Sequence, residues 1–506
     1  MVLNRLNGYV MGIDIGTTGV KVVLMGSDLS IKASAWQPCT LISNRPGWAE
    51  EHPHQWWDSA CTAIGECLAD AGISAAQIEA IGTSGMVPAL VLLDAKDNVL
   101  RLSMQQNDAR ASMEIVKLRS ALNEKELFER TGSTISQQSI APKLLWLAGH
   151  EPGIWHRTRH IIGSYDYINH KLTGDLAIER NWALESGLYD AGVGDWDDEV
   201  LKACGCERDK LPPVVKPTDL VGAVTFEAAG LTGLRAGTPV FGGSADHVAA
   251  ALAAGLLVKG DVLIKIGGAG DILYCVDHWT TDTRLFIDYH DIPGLYLLNG
   301  CMASSGSVLK WFAAMHVKNN GSLAETYAEM DAAARGIIAG SSGLVVLPYF
   351  LGEKTPLFDP LARGVIFGLS LSHTEAHIYR AIMEAVAYGF QHHFDILNEL
   401  ELAPERIFIS DGGARSDLWR QIVADVIGLD VSYVGNHPGS CAGAAFVAGI
   451  ACNFYSSWDD LSGLAGITVV NKTNAEAHAR YQKLYHIYRC LYQDLRERFR
   501  ELDALG

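Results

Sequence analysis

Residues 9–24 read YVMGIDIGTTGVKVVL, and the fold is decided in this stretch. Val10, Ile13 and Ile15 lead into Gly16-Thr17-Thr18-Gly19, and Val20, Val22 and Val23 lead out: strand, glycine turn, strand. Roughly 250 residues on, the layout returns as Val262, Ile264 and Ile266, then Gly267-Gly268-Ala269-Gly270, then Ile272 and Leu273. Each copy is followed by alternating strand and helix patterns, the helical ones including residues 55–69 and 323–334. Such alternation predicts α/β layers with mixed or parallel sheets. Two copies predict two similar halves facing one another across a cleft. Their seam falls near Gly242-Gly243-Ser244, ahead of a helix pattern beginning at His247.

A chain of 506 residues exceeds what one core usually holds, so at least two domains are expected. With 48% hydrophobic residues and 51 glycines it reads as globular and rich in tight turns. A net charge of −18 argues against nucleic acid as a partner. The longest apolar stretch, residues 248–258, is too short to span a bilayer, and from Leu3 through Arg5 no leader pattern is visible. The ten cysteines are scattered, and Cys204 and Cys206 have no ligand pair nearby, so a reducing cytoplasm is expected. The stretch from Lys210 to Thr218 reads as a loop within the first half. Leu484, Ile487, Tyr488, Leu491, Leu495 and Phe499 mark a C-terminal amphipathic helix, with Arg496, Arg498 and Arg500 on its solvated face.

Four segments carry candidate chemistry. In Asp14-x-Gly16-Thr17-Thr18 the glycine lets backbone N–H groups approach phosphate oxygens and the threonines add donors. A carboxylate at the strand end can hold hydrated Mg²⁺. The same residues also suit an ordinary hairpin. The second glycine loop, Gly267 to Gly270, would clamp a triphosphate from the other side. In Gly242-Gly243-Ser244-Ala245-Asp246-His247, Asp246 stands at a helix start. On its own the motif reads as an N-cap before it reads as a base. A strand from Ile407 closes on Asp411-Gly412-Gly413-Ala414 ahead of a helix over 418–427, a turn that a nucleoside could lie across. Other motifs fail. Residues 255–260 have P-loop spacing, but Asp261 stands where lysine belongs, and no GxGxxG follows a strand. His373 and His377, on a helix expected to open at Ser372, lack the glutamate of HExxH and read as structural.

Taken in order, these segments resemble the FGGY carbohydrate kinases over most of the chain, closest to the xylulokinase-like branch. Residues 12–21 are similar to the family's first phosphate loop, and Gly47-Trp48-Ala49-Glu50 with Trp56-Trp57 to its early "GW-x-E…WW". Asn107-Asp108-x-Arg110 resembles "N-D-x-R", and Asp166-Tyr167-Ile168 with Leu172-Thr173-Gly174 resembles "DYI…LTG". The most specific stretch runs from Leu347-Pro348-Tyr349 through Gly352-Glu353-Lys354-Thr355-Pro356, Arg363-Gly364, Ile366 and Gly368-Leu369 to His377-Ile378 and Ala381-Ile382-Met383-Glu384. It matches the family's second signature, while Lys143 to Leu147 matches the first only in part.

The resemblance implies two ribonuclease H-like domains of the actin and hexokinase ATPase type around a central nucleotide and sugar cleft. Residues 1–244 would carry the first phosphate loop and the sugar site. Residues 245–506 would carry the catalytic aspartate, the second loop and the adenosine site. Asp246 takes the family's catalytic-base position, which reverses the preference for a cap, and it joins Asp14 as a Mg²⁺ ligand. Gly16, Thr17 and Thr18 with Gly267 and Gly268 meet the phosphates of ATP. Gly306 and Lys310 lie near the nucleotide, and Gly412, Gly413 and Ala414 cover the adenosine. Two departures stand out. The second loop reads Gly267-Gly268-Ala269 where the family has Gly-Thr-Ser. In Ser84-Gly85-Met86-Val87-Pro88, Met86 and Val87 fall at the substrate-binding place that carries Gln-Met-His in xylulokinase-like members, and Gln106 replaces the tryptophan before "N-D-x-R". The sugar would then be held by Met86, Val87 and other groups such as Asp108 and Arg110. The implied activity is phosphoryl transfer from ATP to a ketopentose such as D-xylulose. Another sugar, a polyol, a sugar acid, or a non-catalytic nucleotide-binding role remain the alternatives. No partner is expected beyond the small-molecule sugar and, at most, a second copy of the chain.

Overall fold

A computed structural model describes residues 8–317, 321–435, 437, 439–464 and 466–505; the leaderless reading from Leu3 to Arg5 lies outside them. The first half begins with β1 (Tyr9–Gly16), β2 (Gly19–Gly26) and β3 (Ile31–Pro38), followed by α1 (Pro53–Ala71) and β4 (Ile78–Gly85). Helices α2 (Ile140–His150), α3 (Ser164–Thr173) and α4 (Arg180–Glu185) come next. Strands β5 (Leu220–Ala223), β6 (Pro239–Phe241) and β7 (Ser244–Ala245) complete a sheet of order β5-β6-β4-β1-β2-β3, with β7 paired to the end of β4. Between Lys210 and Thr218 the loop expected from sequence carries one short strand, Val214–Val215.

Helix α5 (Asp246–Ala253) then leads to β8 (Asp261–Ile266), β9 (Gly270–Val276), β10 (Phe286–Tyr289) and β11 (Tyr296–Met302). After α6 (Gly306–Ala314), α7 (Leu323–Arg335) and α8 (Glu375–Glu399) come β12 (Arg406–Ser410), α9 (Asp417–Ile427), β13 (Val431–Val434), α10 (Ser440–Ala451), β14 (Ile467–Asn471) and α11 (Ala475–Asp503). The second sheet has the order β10-β11-β9-β8-β12-β13-β14.

The repeat seen in the sequence is a repeat of topology. Reading from β3 through β2, β1, β4 and β6 to β5, neighbours pair antiparallel, antiparallel, parallel, parallel, antiparallel. From β11 through β9, β8, β12 and β13 to β14 the series is the same. Central strands are covered on both faces and therefore run as near-continuous hydrophobic segments. Along β1, Met11, Ile13 and Ile15 pack with Trp56, Ala60 and Ile64 of α1, while Val10 on the opposite face packs with Cys441 and Ala445 of α10.

Helix α10 belongs to the second half by sequence, yet it lies on the first sheet. Its approach is so close that a Cβ on Gly12 would sit 1.9 Å from the Cys441 carbonyl oxygen, and one on Gly82 would sit 2.1 Å from that of Ala444. On its far side Gly443 meets α5 in the same way, 2.1 Å from the Ala249 carbonyl oxygen. The two helices thus form a tightly packed pair between the sheets. One local expectation is corrected. Helix α8 starts at Glu375, not Ser372, because His377 Nδ1 accepts from the Thr374 N–H at 3.2 Å and closes a capping box there. Cys204 and Cys206 are buried free thiols. Among the described residues no helix is long and apolar enough to cross a membrane.

Candidate active site

Alternation along β1 puts Asp14 on the face of Val10 and Gly12, towards the start of α10. Ser84, beside it in the parallel β1–β4 register, donates a 2.7 Å hydrogen bond to Asp14 Oδ1. Burial raises the Asp14 carboxyl to about 6, and the charge of Asp246 adds to the rise. Hydrogen bonds from Ser84 and Ser440 and the charge of Lys21 offset it only in part. A half-buried carboxylate strained by a second one is a site that welcomes a cation. Thr17 and Thr18 stand exposed on the turn beyond Gly16.

Asp246 is the first residue of α5, and Ala245 is the N-cap, without any side-chain cap. The capping role is therefore not the one Asp246 plays. Its Oδ1 accepts the adjacent His247 N–H at 2.6 Å, and its side chain is 40% exposed into a cavity of about 270 Å³ between the halves. Val87 lines the same cavity.

Two residues of that cavity's polar wall, Glu185 and Asp288, belong to no motif and meet His247 there. His247 Nε2 lies 3.1 Å from Asp288 Oδ2 on β10 and 3.9 Å from Glu185 Oε1 at the end of α4. Burial works against a charge on His247, but Asp288, Asp246 and Glu185 outweigh it and hold the imidazolium. Burial, with Asp288 next, pushes the Glu185 carboxyl well up. Glu185 Oε1 and Asp288 Oδ1 are buried and make no hydrogen bond to a described residue. These three side chains are also the one group of three or more histidines, cysteines or carboxylates among the described residues whose ligand atoms lie within 4.8 Å of one another. Behind another part of the wall, Lys143 is fully buried on α2, its ammonium lowered to about 7 by burial. It donates to the carbonyls of Gln105 (3.0 Å) and Gln138 (3.2 Å), next to cavity residues.

Asp108 stands elsewhere. It does not line the cavity, and both its oxygens are engaged: Arg110 donates at 2.8 and 2.6 Å, and the Ala49 N–H at 2.7 Å. Burial would raise its carboxyl, but these donors outweigh burial and hold it low. Arg110 is itself stacked 3.6 Å over Trp48, so the expected sugar-gripping pair is spent on itself. Met86 is buried, its carbonyl accepting from Ser164 Oγ at 2.8 Å, and it too lies outside the cavity lining.

On the far hairpin, the residues between β8 and β9 turn their carbonyls towards α6. Gly267 O accepts from the Gly306 N–H at 2.8 Å, and Gly268 O from those of Ser305 (2.9 Å) and Ser307 (3.1 Å). A Cβ on Gly306 would lie 2.5 Å from Gly267 O. The hydroxyls of Ser304, Ser305 and Ser307 are buried there without a partner among the described residues, and sequence reading missed them. Lys310 is exposed, one turn further along α6. Gly412 follows β12 with open space where a side chain would be, and Gly413 and the buried Ala414 begin the short turn into α9. Asp246 thus lines one cavity with Lys265, Ala269 and Asp271 of the second hairpin, and its charge reaches Asp14 at the neck of the first.

Residues 9–253 match the N-terminal domain, and residues 280–452 the C-terminal domain, of the FGGY family of carbohydrate kinases. The chain belongs to that family. It is an ATP-dependent sugar kinase. Similarity to individual proteins runs the full length. The kinase is 30% identical to the xylulose kinase of Escherichia coli K12, covering 96% of this chain and 99% of the relative. It is 28% identical to the gluconokinase of Bacillus subtilis 168, covering 96% and 95%. The crystal structure of the xylulose kinase from Rhodospirillum rubrum superposes with a TM-score of 0.92 at 43% identity, covering 97% of the kinase and all of that chain. The expected actin and hexokinase type of architecture, two α/β halves about a cleft, is therefore the observed one.

Proposed function

We propose that this kinase phosphorylates a neutral ketopentose, with D-xylulose as the acceptor to expect, and that Asp246 is the base. The observation that carries the reading is the position of Asp246: uncapped, on the first turn of α5, at the wall shared by the sugar cavity and the phosphate hairpins. The acceptor hydroxyl gives its proton to Asp246 as its oxygen attacks the γ-phosphorus. The bond from that phosphorus to the bridging oxygen breaks, and ADP leaves. Thr17, Thr18 and the backbone of residues 267–269 receive the phosphate oxygens, the start of α6 supports the second loop, and residues 412–414 cover the adenosine. Asp14 and Asp246 would hold Mg²⁺, which supplies charge neutralisation at the phosphates; the burial of Asp14 and the charge of Asp246 beside it are what fit the pair for it. Closure of residues 1–244 against 245–506 excludes water as a competing acceptor.

The xylulose kinase of Escherichia coli and the gluconokinase of Bacillus subtilis lie at nearly equal identity, but the xylulose kinase of Rhodospirillum rubrum, at 43%, supports the ketose. The cavity wall favours the ketose. It carries open carboxyl oxygens on Glu185 and Asp288, which suit sugar hydroxyls and against which an aldonate would bring a further carboxyl group.

An ADP-release assay with Mg-ATP against ketopentoses, aldoses, polyols and sugar acids tests this reading. D-xylulose should be turned over and gluconate should not; turnover of gluconate alone would overturn the acceptor assignment. Asp246→Ala should cut turnover by about 10²–10⁴-fold while ATP still binds. A variant that works like the wild type would remove Asp246 from the chemistry.

A further inference from the structure

The two glycine hairpins are alike in backbone and unlike in donors. Thr17 and Thr18 give the first hairpin two side-chain hydroxyls, whereas Gly267, Gly268 and Ala269 give the second none. Each hairpin nevertheless has an acid facing a lysine at its neck, with reversed polarity. Asp14 on the incoming strand is directly opposite Lys21 on the outgoing one. In the second hairpin Lys265 is on the incoming strand and Asp271 on the outgoing one.

Lys265 lines the cleft cavity together with Asp246, Ala269 and Asp271. Its Nζ is 3.8 Å from Asp271 Oδ2, too far for a hydrogen bond, and it makes none to a described residue. Its side chain is 19% exposed, so an ammonium with three donors stands in a narrow cleft held only by charge. Burial opposes that charge, but Asp271, Asp411 and Asp246 outweigh it and keep Lys265 protonated. The partnerless hydroxyls of Ser304, Ser305 and Ser307 do not line this cavity, so they do not replace it at the transferred group.

We propose that Lys265, anchored by Asp271, is the donor to the transferred phosphoryl group on the second hairpin, doing with one charge what side-chain hydroxyls do on the first. The inference rests on that group lying between the hairpins, beside Asp246. A charged donor placed where negative charge spreads in the transition state stabilises it more than the bound substrate, so the loss should appear chiefly in kcat.

Lys265→Met should lower kcat by about 10²-fold. It should weaken a non-hydrolysable ATP analogue while leaving ADP affinity unchanged, because ADP lacks the group that Lys265 meets. Both affinities are measured without sugar, so they do not depend on which acceptor is correct. The loop itself offers a rescue, since a Cβ on Gly268 meets no atom within 4 Å. Adding Gly268→Thr and Ala269→Ser to Lys265→Met should recover about tenfold in kcat, the worth of a hydrogen bond to a charged group. Equal weakening of ADP and the ATP analogue, or a kcat within about threefold of wild type, would overturn the proposal, as would a loop graft that restores nothing. Should Lys265→Met not fold, Asp271→Asn leaves the ammonium unanchored and should show the same split between ATP analogue and ADP; its absence there would equally overturn the role.

Discussion

At the scale of single residues, the site is a set of charges that oppose one another until ligands arrive. Asp14 shows it most clearly. Its folded pKa is raised to about 6, so above that pH the unliganded protein carries a carboxylate that it would rather protonate. The group costs nothing below about pH 4, where folded and unfolded chains are both protonated, and its full cost is reached above pH 6. Asp14→Asn should therefore stabilise the Mg²⁺-free, nucleotide-free protein at pH 7.5 by up to about 3 kcal/mol, an advantage that fades as pH falls towards 4. Thermal melts across this range check it, and a variant no more stable at pH 7.5 would show that Asp14 is not strained. The same substitution should remove activity. Little of this wall was legible in the sequence. Asp14 and Asp246 sit in recognisable turns, but Glu185, His247 and Asp288 come from α4, α5 and β10 and meet only in three dimensions. Asp108 misled for a local reason: Arg110, two residues on, folds back and takes its oxygens.

At the scale of elements, the stretch most diagnostic in the sequence proves largely structural. Glu384, inside α8, is buried and accepts from the Gly340 N–H, Ser341 Oγ, Arg380 Nε and Tyr481 Oη, all at 2.8–2.9 Å. It ties α8 to the 340–341 turn and to α11. Glu353 works in the same way, accepting from the Ala303 N–H at 2.7 Å and fixing the chain just before α6. Lys354 alone among its immediate neighbours lines the cavity. Glu384→Ala would leave Arg380 charged and buried without its carboxylate, so it should cost about 3–5 kcal/mol in urea unfolding. A loss below about 1 kcal/mol would mean that Tyr481 or water satisfies Arg380 unaided. Helix periodicity and hairpin turns were readable here because they depend on neighbours in sequence. Which face of each helix meets which strand was not.

At the scale of the whole molecule, the decisive contact joins the halves. Helix α10 crosses onto the first sheet at Gly12 and Gly82 and presses α5 through Gly443, so the helix that carries Asp246 is seated by residues almost 200 positions later. Gly443→Ala isolates this seat. Within a helix the change should favour folding by about 1 kcal/mol through propensity alone, so any net loss reports the packing. It should lower the melting temperature and reduce kcat with a change in KM, because α5 must shift at the end that carries Asp246. A more stable enzyme with unchanged kinetics would show that the interface gives way harmlessly.

By itself the sequence determined what local rules govern. It set the two glycine hairpins, their repetition, the alternation of strand and helix, the uncharged turns, and the aspartates placed beside them. Only the tertiary structure decided that Asp246 is no cap, that Asp108 is spent on Arg110, that α10 belongs on the first sheet, and that Glu185, His247, Asp288 and Lys265 share one cleft. The reason is physical. Backbone patterns repeat at short, fixed sequence spacings, whereas a binding wall is assembled from single side chains whose only relation is the packing that brings them together.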